Sequence, residues 1–219
     1  MTATGQPRTV SLAWSREEGT TIDLYRVKPA VLRALEPLLG RLERTHISPD
    51  ALTLAAVPVG ALAGAAILVS PAVPIALLLV PAAVALRLLL NLLDGALARR
   101  THRTHPRGEF YNELGDRSAD VLMLAPVALV PGSIPWTVWL GVVCAVLASF
   151  VSVATRAAGG ERSYRGILSK PGRLALLSVF AIAALVMGPA AWGPFGPLLA
   201  AGAFLTLAER VVLANRSLR

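Results

Sequence analysis

The chain has 219 residues, 55% of them hydrophobic and 16% charged, with a mean hydropathy of +0.62. So apolar and charge-poor a composition excludes an ordinary water-soluble domain and points to an integral membrane protein. The formal net charge of +8 comes without an aromatic-interleaved basic groove or a nucleic-acid motif, so no nucleic-acid partner is expected and anionic lipid or phosphate supplies the counter-charge.

Roughly the first 45 residues are polar and basic, and residues 1–25 among them read as a flexible cytoplasmic tail. No hydrophobic segment followed by a small-residue cleavage site opens the sequence, so a removable signal peptide is not expected. Residues 26–219 read as a single membrane-embedded domain. From Lys28 to Arg44, apolar Val31, Leu32, Leu35, Leu38, Leu39 and Leu42 alternate with Lys28, Arg33, Glu36, Arg41 and Arg44 at near-helical spacing. This pattern predicts an amphipathic helix lying on the cytoplasmic surface. It breaks at Ile47-Ser48-Pro49-Asp50, where Ser48 is placed to cap the next helix and Pro49 to occupy its first turn.

Apolar segments of about 20 residues, the length that crosses a bilayer, fall near 50–69, 73–98, 110–131, 134–156, 173–189 and 192–214. The expected fold is therefore all-α and integral to the membrane, with six transmembrane helices preceded by the surface helix. The separators at Ser70-Pro71, Pro131 to Pro135 and Gly188 to Pro194 contain no Lys or Arg. They alternate with charged stretches carrying Arg99, Arg100, Arg103 and Arg107, and then Arg162, Arg165, Lys170 and Arg173. Short cytoplasmic loops retain Lys and Arg, so a multi-pass protein of the cell membrane is expected, with both termini cytoplasmic.

Within this apolar frame, Asn91, Asp94 and Ala98 stand at i, i+3 and i+7, and Asn112, Asp116 and Asp120 at i, i+4 and i+8. Each set shares one helix face. One Asp would be explained as interhelical glue, but several carboxylates on two faces are too costly to bury without a cation. Two such faces turned toward each other make an oxygen cage of metal size, at the cytoplasmic end of the second span.

At these residues the sequence resembles the CDP-alcohol phosphotransferase family, whose signature is DxxDGxxAR, eight residues, then GxxxDxxxD. This chain reads Asn91-x-x-Asp94-Gly95-x-x-Ala98-Arg99, eight residues (Arg100 to Arg107), then Gly108-x-x-x-Asn112-x-x-x-Asp116. A Ser-Pro-Asp-x-Leu-Thr run opening the first span and the six spans extend the likeness over about 28–215. The resemblance implies transfer of a phosphatidyl or other substituted phosphate from a CDP-alcohol, CDP-diacylglycerol above all, to a hydroxyl acceptor in phospholipid biosynthesis, releasing CMP. It implies Mg2+ or Mn2+, one ion or two, and a homodimer among membrane lipids with the site open to the cytoplasm.

Residue by residue, the resemblance makes Asp94 a metal ligand and Asp116 a metal neighbour and the general base. Asp94, Gly95, Ala98, Arg99 and Gly108 fall on nucleotide-binding positions. The family's first and third aspartates fall on Asn91 and Asn112, whose carbonyls can ligate a hard cation but bring no charge. One tightly held metal, or a second arriving with substrate phosphate, is therefore expected. Asp120, one turn beyond Asp116, is a further candidate ligand. The same two replacements leave a second reading open, a family member that binds nucleotide-lipid or regulates without turnover. A small-solute transporter fits less well, because the polar motif clusters at one end.

Outside the motif, Arg87 is expected to pair with Asp120 or Glu113, and Glu113 with Arg117 at i, i+4. Arg156, Lys170 and Arg173 resemble the basic cluster with which members that use phosphorylated acceptors hold the acceptor phosphate. The tendency of Lys and Arg to stay cytoplasmic accounts for them equally well. His102 and His105 read as a solvated loop, Trp136, Trp139 and Trp192 as interfacial anchors, and Cys144 as a small packed side chain.

Overall fold

The computed structural model describes residues 33–45, 47–103 and 105–219. The expected tail over 1–25 and the first part of the amphipathic segment, up to residue 32, lie outside them. Within the described residues the chain is built from helices. Surface helix α1 (Glu36–Arg44) is followed by α2 (Pro49–Val69) and by α3 (Leu79–Arg100), which a 3-10 turn over Pro74–Leu78 leads in. Then come α4 (Pro106–Leu124) with a 3-10 turn over Ala125–Leu129, α5 (Pro135–Ala157), α6 (Lys170–Met187), and α7 (Phe195–Ser217) behind a 3-10 turn over Pro189–Trp192.

The boundaries follow local chemistry. Ser48 Oγ accepts the Ala51 N–H at 3.2 Å, and Pro49 occupies the first turn of α2, where its missing N–H costs nothing. Among the described residues, five helical segments are long and apolar enough to cross a bilayer: α2, α3 with its lead-in turn, α5, α6, and α7 with its lead-in turn. The expected span at 110–131 differs. Its α-helix starts earlier, at Pro106, and stops at Leu124, because Pro126 has no N–H to donate to the carbonyl one turn back. Helix α4 also carries Arg107, Glu109, Glu113, Asp116, Arg117 and Asp120, and is the polar helix of the set.

Helix α2 packs along both α3 and α4, α5 packs along α7, and α6 joins the two groups through α3. Small residues set these contacts, as they do where lipid supplies no hydrophobic drive between helices. At Gly60 an added Cβ would come within 3.0 Å of the Ala119 carbonyl of α4, and Gly64 is pressed still closer on the Leu122 carbonyl. The core between the groups holds Ile67, Val80, Met123, Leu177 and Phe195, with Trp192 edge-on to Phe195 at 5.6 Å. Trp192, expected as an interfacial anchor, is thus a core residue, 1% exposed, whereas Trp136 and Trp139 are exposed. At the end opposite the charged loops, Ser70, Pro131, Gly188 and Trp192 border an uncharged cavity of about 220 Å³.

Helix α1 lies against the charged end of α3. Its Leu39 is buried in a cluster with Leu52, Leu93 and Leu97, and Arg100 clamps it from outside by pairing with Glu36 and, at 2.7 Å, with Glu43. The exposed pairs contribute little by themselves, so the apolar cluster sets the docking. Leu39→Ala is expected to loosen α1 by about 2 kcal/mol, read as roughly 30-fold faster amide exchange over residues 36–44 with α2 to α7 unaffected.

Candidate active site

Asp94 projects from α3 and is nearly buried; its Oδ2 accepts a hydrogen bond from Thr53 Oγ1 of α2 at 2.7 Å. Asp116 projects from α4 toward the same region. Its Oδ1 accepts from Asn91 Nδ2 at 3.0 Å and from Lys170 Nζ of α6 at 2.5 Å. The two polar faces expected from the spacing are therefore brought together, with Asn91 as the link between them. Because Asn91 gives its amide N–H to Asp116, its Oδ1 is buried without a hydrogen-bond partner among the described residues. Asn112 lies across a cleft from Asp94.

That cleft, about 470 Å³, opens between α2, α3 and α4. Asp94, Gly95 and Ala98 form one wall, and Gly108, Glu109 and Asn112 the opposite one, with Asp50, Thr53 and His105 between. Gly108 keeps the space at this point clear: a Cβ there would come 2.9 Å from Asp50 Oδ1 and 3.4 Å from the His105 ring. His105 is more than a solvated loop residue. Its Nδ1 accepts the Gly108 N–H at 3.0 Å, capping α4, and its Nε2 stands 3.3 Å from Asp50 Oδ2. Arg99 is exposed beside Gly95.

Asp120, expected among the metal ligands, is placed differently. It is buried, with Arg87 NH1 2.6 Å from Oδ1 and Arg173 NH2 2.9 Å from Oδ2. Both carboxylate oxygens are thus taken by guanidinium groups, and the Arg87–Asp120 pair matches the expectation from sequence. Arg87, fully buried, also donates through NH2 to the Asp116 main-chain carbonyl at 2.8 Å.

The expected acceptor cluster is likewise paired. From Asp116 the charges run outward with alternating sign: Arg117 NH1 is 3.7 Å from Asp116 Oδ2, and Arg117 NH2 is 2.5 Å from Glu113 Oε2. Glu113 also pairs with Arg162, which lies 3.8 Å from Glu109, and Glu109 pairs with Arg156. Lys170 sits at the inner end of this ladder on Asp116, and Arg156 at the outer end, 58% exposed. Arg173 stands behind it, buried on Asp120.

A divalent cation fits this donor set. Asp94 and Asp116 supply charge, and the unpartnered Asn91 Oδ1 is a hard oxygen of the type that such ions take. Among the described residues no three His, Cys, Asp or Glu side chains cluster as a metal site, so amide oxygens must complete the set.

The family model for CDP-alcohol phosphatidyltransferase matches residues 46–212. The chain belongs to this family. It is accordingly a multi-pass membrane enzyme, a phosphatidyltransferase of phospholipid synthesis. It is 31% identical over 163 residues, covering 74% of this chain and 81% of the other, to the inner membrane protein YnbA of Escherichia coli (strain K12). Its fold is similar to that of the Mycobacterium tuberculosis phosphatidylinositol phosphate synthase PgsA1. With CDP-DAG bound, that protein superposes at TM-score 0.69 and 21% identity, over 83% of this chain and 94% of that one. In complex with manganese and citrate it does so at TM-score 0.70 and 20% identity, over 83% and 88%.

Thr53, Glu109 and Arg162 were not assigned a role from sequence. Thr53 falls in the Ser-Pro-Asp-x-Leu-Thr run that carried the family likeness, which was the available signal. For the glutamates and Arg162 the sequence offered only i, i+4 spacing along α4, and the partners come from another part of the chain. Arg87→Met should leave the buried Asp120 carboxylate with Arg173 alone, at a cost of about 3–5 kcal/mol. Thermal unfolding in detergent would show the loss, and pairing the change with Asp120→Asn is expected to restore part of it.

Proposed function

We propose that this enzyme moves a phosphatidyl group from CDP-diacylglycerol to the hydroxyl of an alcohol, releasing CMP, at the cytoplasmic face of the membrane. The observation that carries this is the cleft: both halves of the family motif line it, Asp94, Gly95 and Ala98 on one side and Gly108 and Asn112 on the other. CDP-DAG and manganese in the structures of the PgsA1 neighbour support the choice of donor and of metal. The crowding of Arg and Lys at the cleft end, against an uncharged opposite end, supports the cytoplasmic orientation.

Asp94, Asp116, Asn91 and Asn112 would hold a divalent cation, Mg2+ or Mn2+. Bound there, it supplies the positive charge that offsets the donor pyrophosphate and the charge developing on the phosphoryl oxygens. Asp120 is left out of this set because both its oxygens face guanidinium groups. Thr53 fixes the rotamer of Asp94 by donating to Oδ2. Arg99 offers a planar fork of N–H donors to the donor phosphates, with Gly95 keeping the space beside it clear. Asp116 takes the proton of the acceptor hydroxyl, whose oxygen bonds to the phosphatidyl phosphorus as the bond to the CMP oxygen breaks. The electron pair of that bond leaves with CMP, and the proton passes from Asp116 to solvent. Asn91 of α3 and Lys170 of α6 hold the Asp116 carboxylate between these helices, one helical turn along α4 from Asn112 of the cleft wall.

Purified protein given CDP-diacylglycerol, a panel of alcohols and Mg2+ or Mn2+ is expected to form CMP, and chelation of the metal to stop it. Asp94→Ala and Asp116→Asn should each lower the rate by at least about 100-fold; full activity in either would overturn the assignment. The replacement of two motif carboxylates by Asn91 and Asn112 favours, as the second reading, a binding or regulatory member. Restoring both with Asn91→Asp and Asn112→Asp separates the two. Loss of existing activity supports the enzyme, whereas activity arising only in the double variant supports the second reading.

A further inference from the structure

We propose that the acceptor alcohol carries no phosphate of its own. The inference rests on the phosphatidyl-transfer reading above and names the acceptor class for that same site. A phosphomonoester brings about −1.5 to −2 of charge near neutral pH. A site for it must offer guanidinium or ammonium groups with donors to spare, close enough to Asp116 for the acceptor hydroxyl to reach that carboxylate.

The basic residues packed on Asp116, Glu113 and Glu109 are each already engaged, while Arg103 lines the cleft with Asp94 and Gly95, at the nucleotide-binding half of the motif. Arg117 and Arg162 close on Glu113 from two sides, Arg156 is held by Glu109, and Lys170 by Asp116. Arg162 is further fixed over the Tyr164 ring, 4.6 Å from its centroid. Arg173 cannot turn toward the cleft without abandoning the buried Asp120 carboxylate. When a divalent cation occupies the Asp116 side, the one group released is the Lys170 ammonium, a single positive charge.

A phosphate drawn into this region would also meet Glu109 and Glu113. Glu113 is 19% exposed, so taking Arg117 or Arg162 away from it leaves a half-buried carboxylate short of a partner and beside a second anion. Like-charge contacts of this kind exclude a ligand more effectively than missing contacts do. An uncharged or zwitterionic alcohol pays neither penalty, since its hydroxyls can hydrogen-bond to the outer oxygens of the ladder without breaking it. Glu109 and Glu113, one turn apart on α4 and respectively two turns and one turn before Asp116, thus act as a charge filter at the acceptor side.

The test compares acceptors in matched pairs. Purified protein in lipid nanodiscs receives CDP-diacylglycerol and Mn2+ with glycerol or glycerol 3-phosphate, with inositol or inositol phosphate, and with serine or phosphoserine, and CMP release is measured. The unphosphorylated member of each productive pair is expected to be used at least about tenfold faster, a difference of about 1.4 kcal/mol. Inorganic phosphate should not slow the reaction. Glu113→Gln keeps the side-chain size but frees Arg117 and Arg162, and should narrow the ratio and make the enzyme sensitive to inorganic phosphate. If Glu113→Gln does not fold, the wild-type ratio still decides. Faster use of the phosphorylated member, or equal use of both, overturns the inference and leaves phosphatidyl transfer standing. CMP from no acceptor at all overturns both.

Discussion

The buried contact of Asp120 with Arg87 and Arg173 is the constraint on which the rest of the site depends. A fully buried guanidinium in the middle of an apolar helix is tolerable only where a carboxylate meets it. Asp120 provides that carboxylate from α4, and Arg173 of α6 completes the charge balance on its other oxygen. The contact therefore fixes three helices to one another at a single depth, and these same helices carry Asp94, Asp116 and Lys170. Arg87 reaches further, to the Asp116 main-chain carbonyl, so the backbone of the proposed base is held by the group that stabilises the helix packing. Helix packing and the proposed chemistry share residues here, with the Asp120 carboxylate bracing α4 against α3 and α6.

Asn91 suits the carboxylate that it faces between α3 and α4. An aspartate at position 91 would set one carboxylate against another, since its side chain would face Asp116 Oδ1 where Asn91 now donates a hydrogen bond at 3.0 Å. The amide turns that repulsion into an attraction and still presents an oxygen on its other side. Together with Lys170 on the same Asp116 oxygen, it balances the charge of Asp116, whereas the buried Asp94 carboxylate meets the Thr53 hydroxyl and no ion pair among the described residues. Family members with four carboxylates face the opposite balance, in which the ions offset strong mutual repulsion.

Much of the fold was legible because the punctuation is chemical: Pro and Gly at helix ends, Ser48 as a cap, and apolar runs of bilayer length. The Arg87–Asp120 and Glu113–Arg117 pairs were legible for the same kind of reason, because a buried charge demands a partner and helical spacing limits the choice. Pairings between distant segments were not. Nothing in the local sequence of Arg156 reveals that Glu109, 47 residues earlier, pairs with it, so the basic cluster reads as free from sequence alone. Trp192 shows the limit for apolar residues. Its position at the end of a span suits an interfacial anchor, but whether an aromatic ring faces lipid or Phe195 is decided by the helix packed against it.

His105 ties two helices to each other. Its Nδ1 takes the Gly108 N–H at the start of α4, while its Nε2 faces Asp50 in the first turn of α2. The imidazole thereby works as a spacer across the mouth of the cleft, and the glycine at 108 lets the two helices close down onto it. The imidazole is thus a shared contact of the first turns of α2 and α4, and it lies apart from Asp94 and Asp116.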